Sequence, residues 1–194
     1  EKLSPCLPDP ARAAAAGPSC CRTILDGPDD FYDRFYTVLV AAISAARQRV
    51  TVITPYFLPQ AALTSAMQSA ALRGVAVNII LPAMNNHAMV KWASYNTFRD
   101  LLERGVRIFF QPPPFNHTKL LLVDDTYTHL GSANLDPRSY RLNFELTMEV
   151  FDAALNRQLT RHALSLLEAS HEYTLADLDA RSLPTRIRDA FFWI

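Results

Sequence analysis

Residues 117–145 read HTKLLLVDDTYTHLGSANLDPRSYRLNFE, and this stretch predicts two neighbouring strands followed by a tight turn. The apolar run at 120–123 is short and bounded by polar residues, which is typical of a buried strand rather than a helix. Residues 126–130 form a second β-rich run, and the glycine after them permits close backbone approach. Because side chains alternate along a strand, we expect His117 and Lys119 on one face.

The same stretch carries an imidazole, an ammonium, an amide and carboxylates at fixed spacing. They follow the pattern His117-x-Lys119-x4-Asp124-x6-Gly131-Ser132-x-Asn134, continued by Asn143-x-Glu145. A histidine titrates near working pH, so His117 suits attack on phosphorus or protonation of a departing alkoxide. Lys119 and Asn134 can hold the non-bridging oxygens as charge builds, and Glu145 can bond the second ring nitrogen of His117. The pattern predicts a phosphodiester site that needs no metal or other cofactor.

Outside this stretch, helix and strand patterns alternate along the chain. Helices are predicted from Asp29 or Asp30 to Arg47 and over 60–73, 85–104, 153–169 and 174–180, with another opened by Pro184; strands are predicted over 49–54, 75–81, 106–110 and 144–151. Such alternation predicts an α/β fold with a mixed, largely parallel sheet and helices on both faces.

Length and composition suit one globular domain. The chain has 194 residues, of which 49% are hydrophobic and 20% charged, enough to build a real core. Its 19 basic and 19 acidic residues cancel, so no overall attraction to nucleic acid is expected. This balance disfavours a nuclease, although a local basic patch is compatible with it.

Three segments are predicted. Residues 1–21 contain four prolines and an alanine run, which is typical of a linker. Residues 22–172 form the lobe with the motif, and residues 173–194 form a helical tail. The tail ends in aromatic residues beside Arg186 and Arg188, a composition that fits either a bilayer interface or packing on the domain.

All cysteines lie in the first 21 residues, at Cys6, Cys20 and Cys21. Their spacing completes no zinc set. We interpret them as free thiols of a reducing compartment, with a vicinal or intermolecular disulfide as the alternative.

At the motif the sequence resembles the phospholipase D superfamily, whose signature is His-x-Lys-x4-Asp-x6-Gly-Ser-x-Asn. Further segments are similar to the second, C-terminal catalytic half of a bacterial cardiolipin synthase. They are Thr54–Pro59, Ala70–Val75 leading to Ile79–Pro82, and Gly131–Glu145. The resemblance covers residues 22 to about 170 and implies a phospholipase D-like lobe.

The resemblance implies a phosphatidyltransferase that makes cardiolipin from phosphatidylglycerol through a phosphohistidine intermediate, without a cofactor. His117 takes the role of proton donor, and Lys119, Ser132 and Asn134 grip the phosphate. Glu145 orients His117. Asp124 belongs to the signature, but supporting the fold or positioning Lys119 suits it better than chemistry.

One departure from the family pattern matters for function. A cardiolipin synthase of this type supplies one motif from each of two lobes, and this chain has one motif. The start at Glu1 and the missing membrane segments suggest a processed or truncated piece. The expected partner is therefore the first lobe or a second copy of the chain. The alternatives are a homodimeric single-motif phosphodiesterase or nuclease, and a fragment inactive alone.

Several other residues allow two interpretations of their role. Tyr56 can line the mouth of the site or belong to the core, and Arg138 can bind a lipid phosphate or headgroup or form a salt bridge. His87 follows a strand end, where α/β sheets often contact ligands, but capping a helix explains it as well. The expected substrate is a phospholipid at a membrane surface, with nucleic acid disfavoured. The expected location is the bacterial inner membrane, with the lobe on the cytoplasmic side.

Overall fold

The computed structural model describes residues 17–28 and 34–192. Its strands are β1 (Cys20–Asp26), β2 (Arg49–Ile53), β3 (Ala76–Pro82), β4 (Arg107–Gln111), β5 (Leu120–Val123), β6 (Tyr127–Gly131), β7 (Glu145–Phe151) and β8 (His171–Tyr173). Its helices are α1 (Arg34–Ala45), α2 (Ala61–Leu72), α3 (Ala88–Leu102), α4 (Pro137–Arg141), α5 (Ala153–Ala169), α6 (Leu175–Asp179) and α7 (Leu183–Phe191). The α/β class is confirmed.

The strands form one mixed sheet, but the prediction that it is largely parallel is wrong. Its order is β1-β7-β6-β5-β2-β3-β4-β8. Among the described strands, β2–β3 and β3–β4 pair in parallel and the other five neighbouring pairs are antiparallel. Helices α2 and α3 provide the crossovers that parallel pairing requires, whereas three residues join β5 to β6, too few for a crossover.

Helices cover both faces of the sheet, as predicted. One face packs against α1, α2 and α3, with β-strand residues Val50, Val52, Val77, Ile79, Ile108, Leu121 and Val123. The other face packs against α5, with Ile53, Ile80, Phe109, Leu120 and Leu122 below Ala163. Neighbouring residues of β5 enter different cores because strand side chains alternate. Burial on both faces explains the continuous apolar run that predicted this strand.

Strand β1 begins inside the segment predicted as a linker. Cys20 pairs with Phe151 and Asp26 with Glu145, so β1 is an edge strand along β7. Residues 1–16 of that segment, and with them Cys6, lie outside the described residues, as do Asp29 and Asp30. Cys20 and Cys21 are exposed free thiols, as predicted.

The C-terminal segment packs on the domain. Strand β8 pairs with β4, and Phe192 stacks on Trp92 of α3 with ring centroids 5.1 Å apart. The outer face of α7 leaves Leu183, Ile187 and Phe191 exposed. Within the described residues, none of the helices combines the length and apolar character needed to cross a bilayer.

Candidate active site

Five of the predicted site residues come together at one edge of the sheet. His117 and Lys119 lie just before β5, Ser132 and Asn134 just after β6, and Glu145 begins β7. Because β6 is antiparallel to both β5 and β7, these three strand ends share an edge. The carboxyl ends of β2 and β3 lie at the same edge, since β2 is antiparallel to β5 and parallel to β3.

His117 and Lys119 form a close pair just before β5. The Lys119 Nζ lies 3.1 Å from Nδ1 and 3.3 Å from Nε2 of His117, and it donates to the His117 carbonyl at 2.8 Å. Partial burial, together with the adjacent ammonium, lowers the pKa of His117. Burial also lowers the pKa of Lys119, opposed by the charges of Glu145 and Asp136. The lowered pKa of His117 favours its neutral imidazole. A bound anion would stabilise the neighbouring Lys119 ammonium.

Two aromatic rings flank His117. The Tyr56 ring centroid lies 6.1 Å from that of His117, at an interplanar angle of 76°. The Phe115 centroid lies 5.7 Å away on the loop before β5. Tyr56 is buried, with 9% of its surface exposed. The ring of Tyr56 therefore belongs to the core and also borders the histidine, while its place at the mouth of the site stays a prediction.

Glu145 makes contacts other than the predicted one. Its buried carboxylate accepts hydrogen bonds from Ser132 Oγ and, at 3.0 Å, from Asn143 Nδ2. The Ser132 hydroxyl also accepts from the Leu146 N–H at 3.0 Å. Among the described residues no hydrogen bond joins Glu145 to His117, so the prediction that Glu145 orients this histidine is not met within the chain. The nearby serine and asparagine occupy the carboxylate instead.

Asn134 carries an unpaired polar atom. Its backbone N–H donates to Ser139 Oγ at 3.0 Å, which fixes the turn against the first turn of α4. Its side-chain Oδ1 is buried and lacks a hydrogen-bond partner within the described part of the chain. Buried polar atoms are nearly always paired, so this amide is a candidate for pairing with a ligand or an ordered water.

Asp124 is not brought to the site, which corrects its place among the catalytic residues. It follows β5 at the opposite end of the strand from Lys119, about 17 Å away at the usual rise per residue. Its carboxylate accepts from the backbone N–H groups of Arg47, Gln48 and Arg49 at 2.8 to 3.3 Å. It stabilises the turn between α1 and β2, in agreement with the prediction that Asp124 supports the fold.

Replacing Asp124 by asparagine tests that role. Partial burial raises the pKa of this carboxyl, but the Arg49, Gln48 and Arg47 N–H groups outweigh it, so the folded-state pKa lies below 3.8. The carboxylate therefore stabilises the fold above the unfolded-state pKa, and this contribution is lost as pH falls through the folded-state value. We expect Asp124→Asn to lower the free energy of unfolding by about 2 kcal/mol at neutral pH.

Urea unfolding of both proteins at neutral pH and at about pH 3 measures this effect. The difference between wild type and Asp124→Asn should shrink at the lower pH. Asparagine also tolerates the left-handed backbone at this position, where φ is 49°. An equal difference at both values would contradict the assignment of stabilisation to the charged carboxylate.

Arg138 lies on the exposed surface of α4. Among the described residues it makes no ion pair with Asp136, Glu145 or Glu149, and Glu149 pairs with Arg22. Its guanidinium is therefore open to solvent beside the turn that carries Asn134. Arg138 therefore does not form the predicted salt bridge, and anion binding by its guanidinium stays a prediction.

The loop between β3 and α3 also reaches the site, and sequence reasoning gave it only an ambiguous role. His87 occupies the N-cap position of α3, but its side chain makes no capping hydrogen bond. Its ring centroid lies 5.3 Å from that of Tyr56. The sequence signal was its position after a buried strand. No group of three or more potential metal ligands occurs among residues 17–28 and 34–192.

Comparisons with known proteins agree with this geometry. A family described as "Cardiolipin synthase, PLD-like domain" matches residues 39–167. The chain is 34% identical over 167 residues to the major cardiolipin synthase ClsA of Bacillus subtilis (strain 168), covering 86% of this chain and 35% of that protein. It is 42% identical over 139 residues to cardiolipin synthase A of Pseudomonas syringae pv. syringae (strain B728a), covering 72% and 29%.

The fold is similar to that of a solved structure. Nuc, a phospholipase D family member from Salmonella typhimurium, superposes with a TM-score of 0.68 and 18% identity over 81% of this chain and 99% of that chain. Our chain spans about a third of the length of the curated relatives it matches. With the family match covering most of the lobe, the chain belongs to the cardiolipin synthase family of phospholipase D-like domains.

Proposed function

We propose that this chain is the second catalytic lobe of a phosphatidyltransferase that makes cardiolipin from phosphatidylglycerol. The observation that carries the proposal is the pairing of the His117 imidazole with the Lys119 ammonium at 3.1 Å on an accessible edge of the sheet. An acid or base beside a fixed cation suits displacement at a phosphodiester. The family membership supplies the lipid as the substrate class.

The reaction proceeds by two displacements at phosphorus. A histidine of the first lobe attacks phosphatidylglycerol, so a nitrogen–phosphorus bond forms and the bond to the glycerol oxygen breaks while His117 protonates that oxygen. His117 then takes the proton from the hydroxyl of a second phosphatidylglycerol, whose oxygen displaces the first histidine from phosphorus. One phosphodiester is exchanged for another, so the reaction is nearly isoenergetic and needs no cofactor.

The other residues of the edge hold the phosphate. The Lys119 ammonium balances the charge of the non-bridging oxygens, and the Asn134 side-chain Nδ2 donates a further, neutral hydrogen bond to them. Ser132 places its hydroxyl between this anion site and the Glu145 carboxylate, and Arg138 receives the headgroup. A bound phosphate raises the pKa of His117, which prepares the imidazole to donate a proton.

Two histidines are required on opposite sides of phosphorus, so the lobe acts with a partner. The exposed position of His117 leaves room for the matching motif of a first lobe. The curated relatives are about three times as long as the matched segment, which accommodates such a lobe. A second copy of this chain is the other possible source.

Exposed apolar side chains near the site suit a lipid substrate. They follow β3, precede β5 or adjoin Glu145, and they are Met84, Met89, Phe115, Leu142, Phe144 and Leu146. An apolar surround favours a lipid alcohol over water as the acceptor. We propose the bacterial inner membrane as the location, with this lobe on the cytoplasmic side, and this proposal rests on the family resemblance.

One observation favours a second candidate function. The fold match covers 99% of the Nuc chain, so a protein of this superfamily can consist of one lobe. Two copies of this chain could then bring two His117 residues together as a phosphodiesterase or nuclease. The balanced net charge gives that reading no support from nucleic-acid attraction.

A product assay separates these functions. The chain is incubated with phosphatidylglycerol vesicles or with single-stranded DNA, alone and with a supplied first lobe, and lipids and DNA fragments are analysed. We expect cardiolipin only when the first lobe is present. Cleavage of DNA by the chain alone, lost in His117→Ala, would replace the transferase with the homodimeric nuclease. A folded chain without either product in any mixture would leave an inactive fragment.

A further inference from the structure

Two loops at the active edge are joined by a set of hydrogen bonds. Asn85 Nδ2 donates to the Pro55 carbonyl at 2.8 Å, and its Oδ1 accepts from the His87 N–H at 2.8 Å. The Tyr56 hydroxyl donates to Asn86 Oδ1 at 2.7 Å. The β3–α3 loop is therefore fixed on the segment after β2, and the position of His87 follows from these bonds.

The Tyr56 ring neighbours two imidazoles, that of His87 and that of His117. The Tyr56 centroid is 5.3 Å from that of His87 and 6.1 Å from that of His117, with interplanar angles of 60° and 76°. The two imidazole centroids are thus at most about 11.4 Å apart, the sum of these separations. A molecule held by His117 can reach His87 across the edge of the tyrosine.

A capping role does not account for the His87 side chain. It makes no capping hydrogen bond, and among the described residues neither ring nitrogen has a hydrogen-bond partner. The residue is exposed, while its backbone is held by Asn85. The structure therefore fixes the backbone of His87. Its two ring nitrogens, a donor and an acceptor, have no partner among the described residues.

We propose that His87 is a specificity-determining residue that binds the hydroxyl-bearing alcohol arm of the phosphodiester, while His117 and Lys119 hold its phosphate. The inference rests on the proposed function. Hydrogen bonds of about 3 Å at the two ends leave a gap of at most about 5 Å, which is within the reach of a three-carbon polyol with bonds of about 1.5 Å. A neutral imidazole offers one donor and one acceptor, the combination that a vicinal diol satisfies.

Water-soluble probes test the inference without requiring turnover. Glycerophosphoglycerol carries a phosphodiester with hydroxyls on both arms, whereas diethyl phosphate has none. Each is titrated into the chain while the histidine ring signals are followed by NMR. We expect both probes to shift the His117 signal and only glycerophosphoglycerol to shift that of His87. His87→Ala should weaken glycerophosphoglycerol binding about 10-fold and leave diethyl phosphate binding unchanged.

Two further variants make the test specific. His87→Gln keeps a donor and an acceptor and should recover most of the affinity, and His162→Ala on α5 should match the wild type with both probes. If both probes shift His117 but His87 does not respond and His87→Ala binds equally well, the inference is overturned while the phosphate site stands. If neither probe shifts His117, the phosphate site itself is refuted and the inference falls with it.

Discussion

His117→Ala is expected to reduce phosphatidyl transfer by about 10³-fold or more. A positioned general acid or base contributes about 10² to 10⁴-fold, and Lys119 also loses its contact with the imidazole. The fold should be unaffected, because His117 is exposed and precedes β5 rather than forming part of it. Initial rates of cardiolipin formation, measured in the presence of the first lobe, quantify the loss.

A matched histidine on the same chain provides the control. His162 is exposed on α5, which packs on the sheet face opposite α1 to α3, so His162→Ala should retain the wild-type rate and melting temperature. A His117→Ala protein that unfolds with wild-type cooperativity and yet keeps more than a tenth of the activity would contradict the assignment of chemistry to this imidazole.

The sequence carried the central part of the site because that part is local. His117 and Lys119 are two residues apart just before a strand that is buried on both faces, so their proximity follows from the short sequence separation. The end of β6 brings Asn134 to the same edge, because the three-residue connection from β5 permits only antiparallel pairing. These contacts can be predicted from residues that are close together in the sequence.

The contacts that the sequence did not predict correctly are of two kinds. Some join residues far apart in the chain, and others depend on which of several polar groups binds a given side chain. Strand β1 pairs with β7 more than 100 residues later, and β8 has three residues, too few to show a period. Glu145 was given to His117, but Ser132 and Asn143 reach its carboxylate. Residue type alone cannot rank such partners.

The parallel sheet was predicted from alternation that holds for only part of the chain. Helices separate β2, β3 and β4, and these strands are parallel. Beyond β4 the chain runs through β5 and β6 with no intervening helix and a three-residue connection, which restricts it to antiparallel pairing. The helical connections therefore predict the parallel pairs, and the three-residue connection predicts the antiparallel β5–β6 pair.

Gly131→Ala is expected to be the most destabilising single change within the motif. A Cβ at this position would lie 2.6 Å from the Thr147 Cα and against the Leu146 carbonyl oxygen. Both are backbone atoms of the paired strand β7, so they cannot move without disrupting the ladder. Overpacking of this kind costs about 3 kcal/mol, and the melting temperature should fall by about 6 to 12 °C.

Thermal unfolding followed by circular dichroism measures the change, with Gly17→Ala as the matched control. A Cβ at Gly17 meets no atom within 4 Å, so that variant should melt with the wild type. The comparison also separates two reasons for a glycine beside the phosphate site. If Gly131→Ala melts normally but loses transfer activity, the glycine is required for approach of the substrate; if it melts early, the close β6–β7 packing requires it.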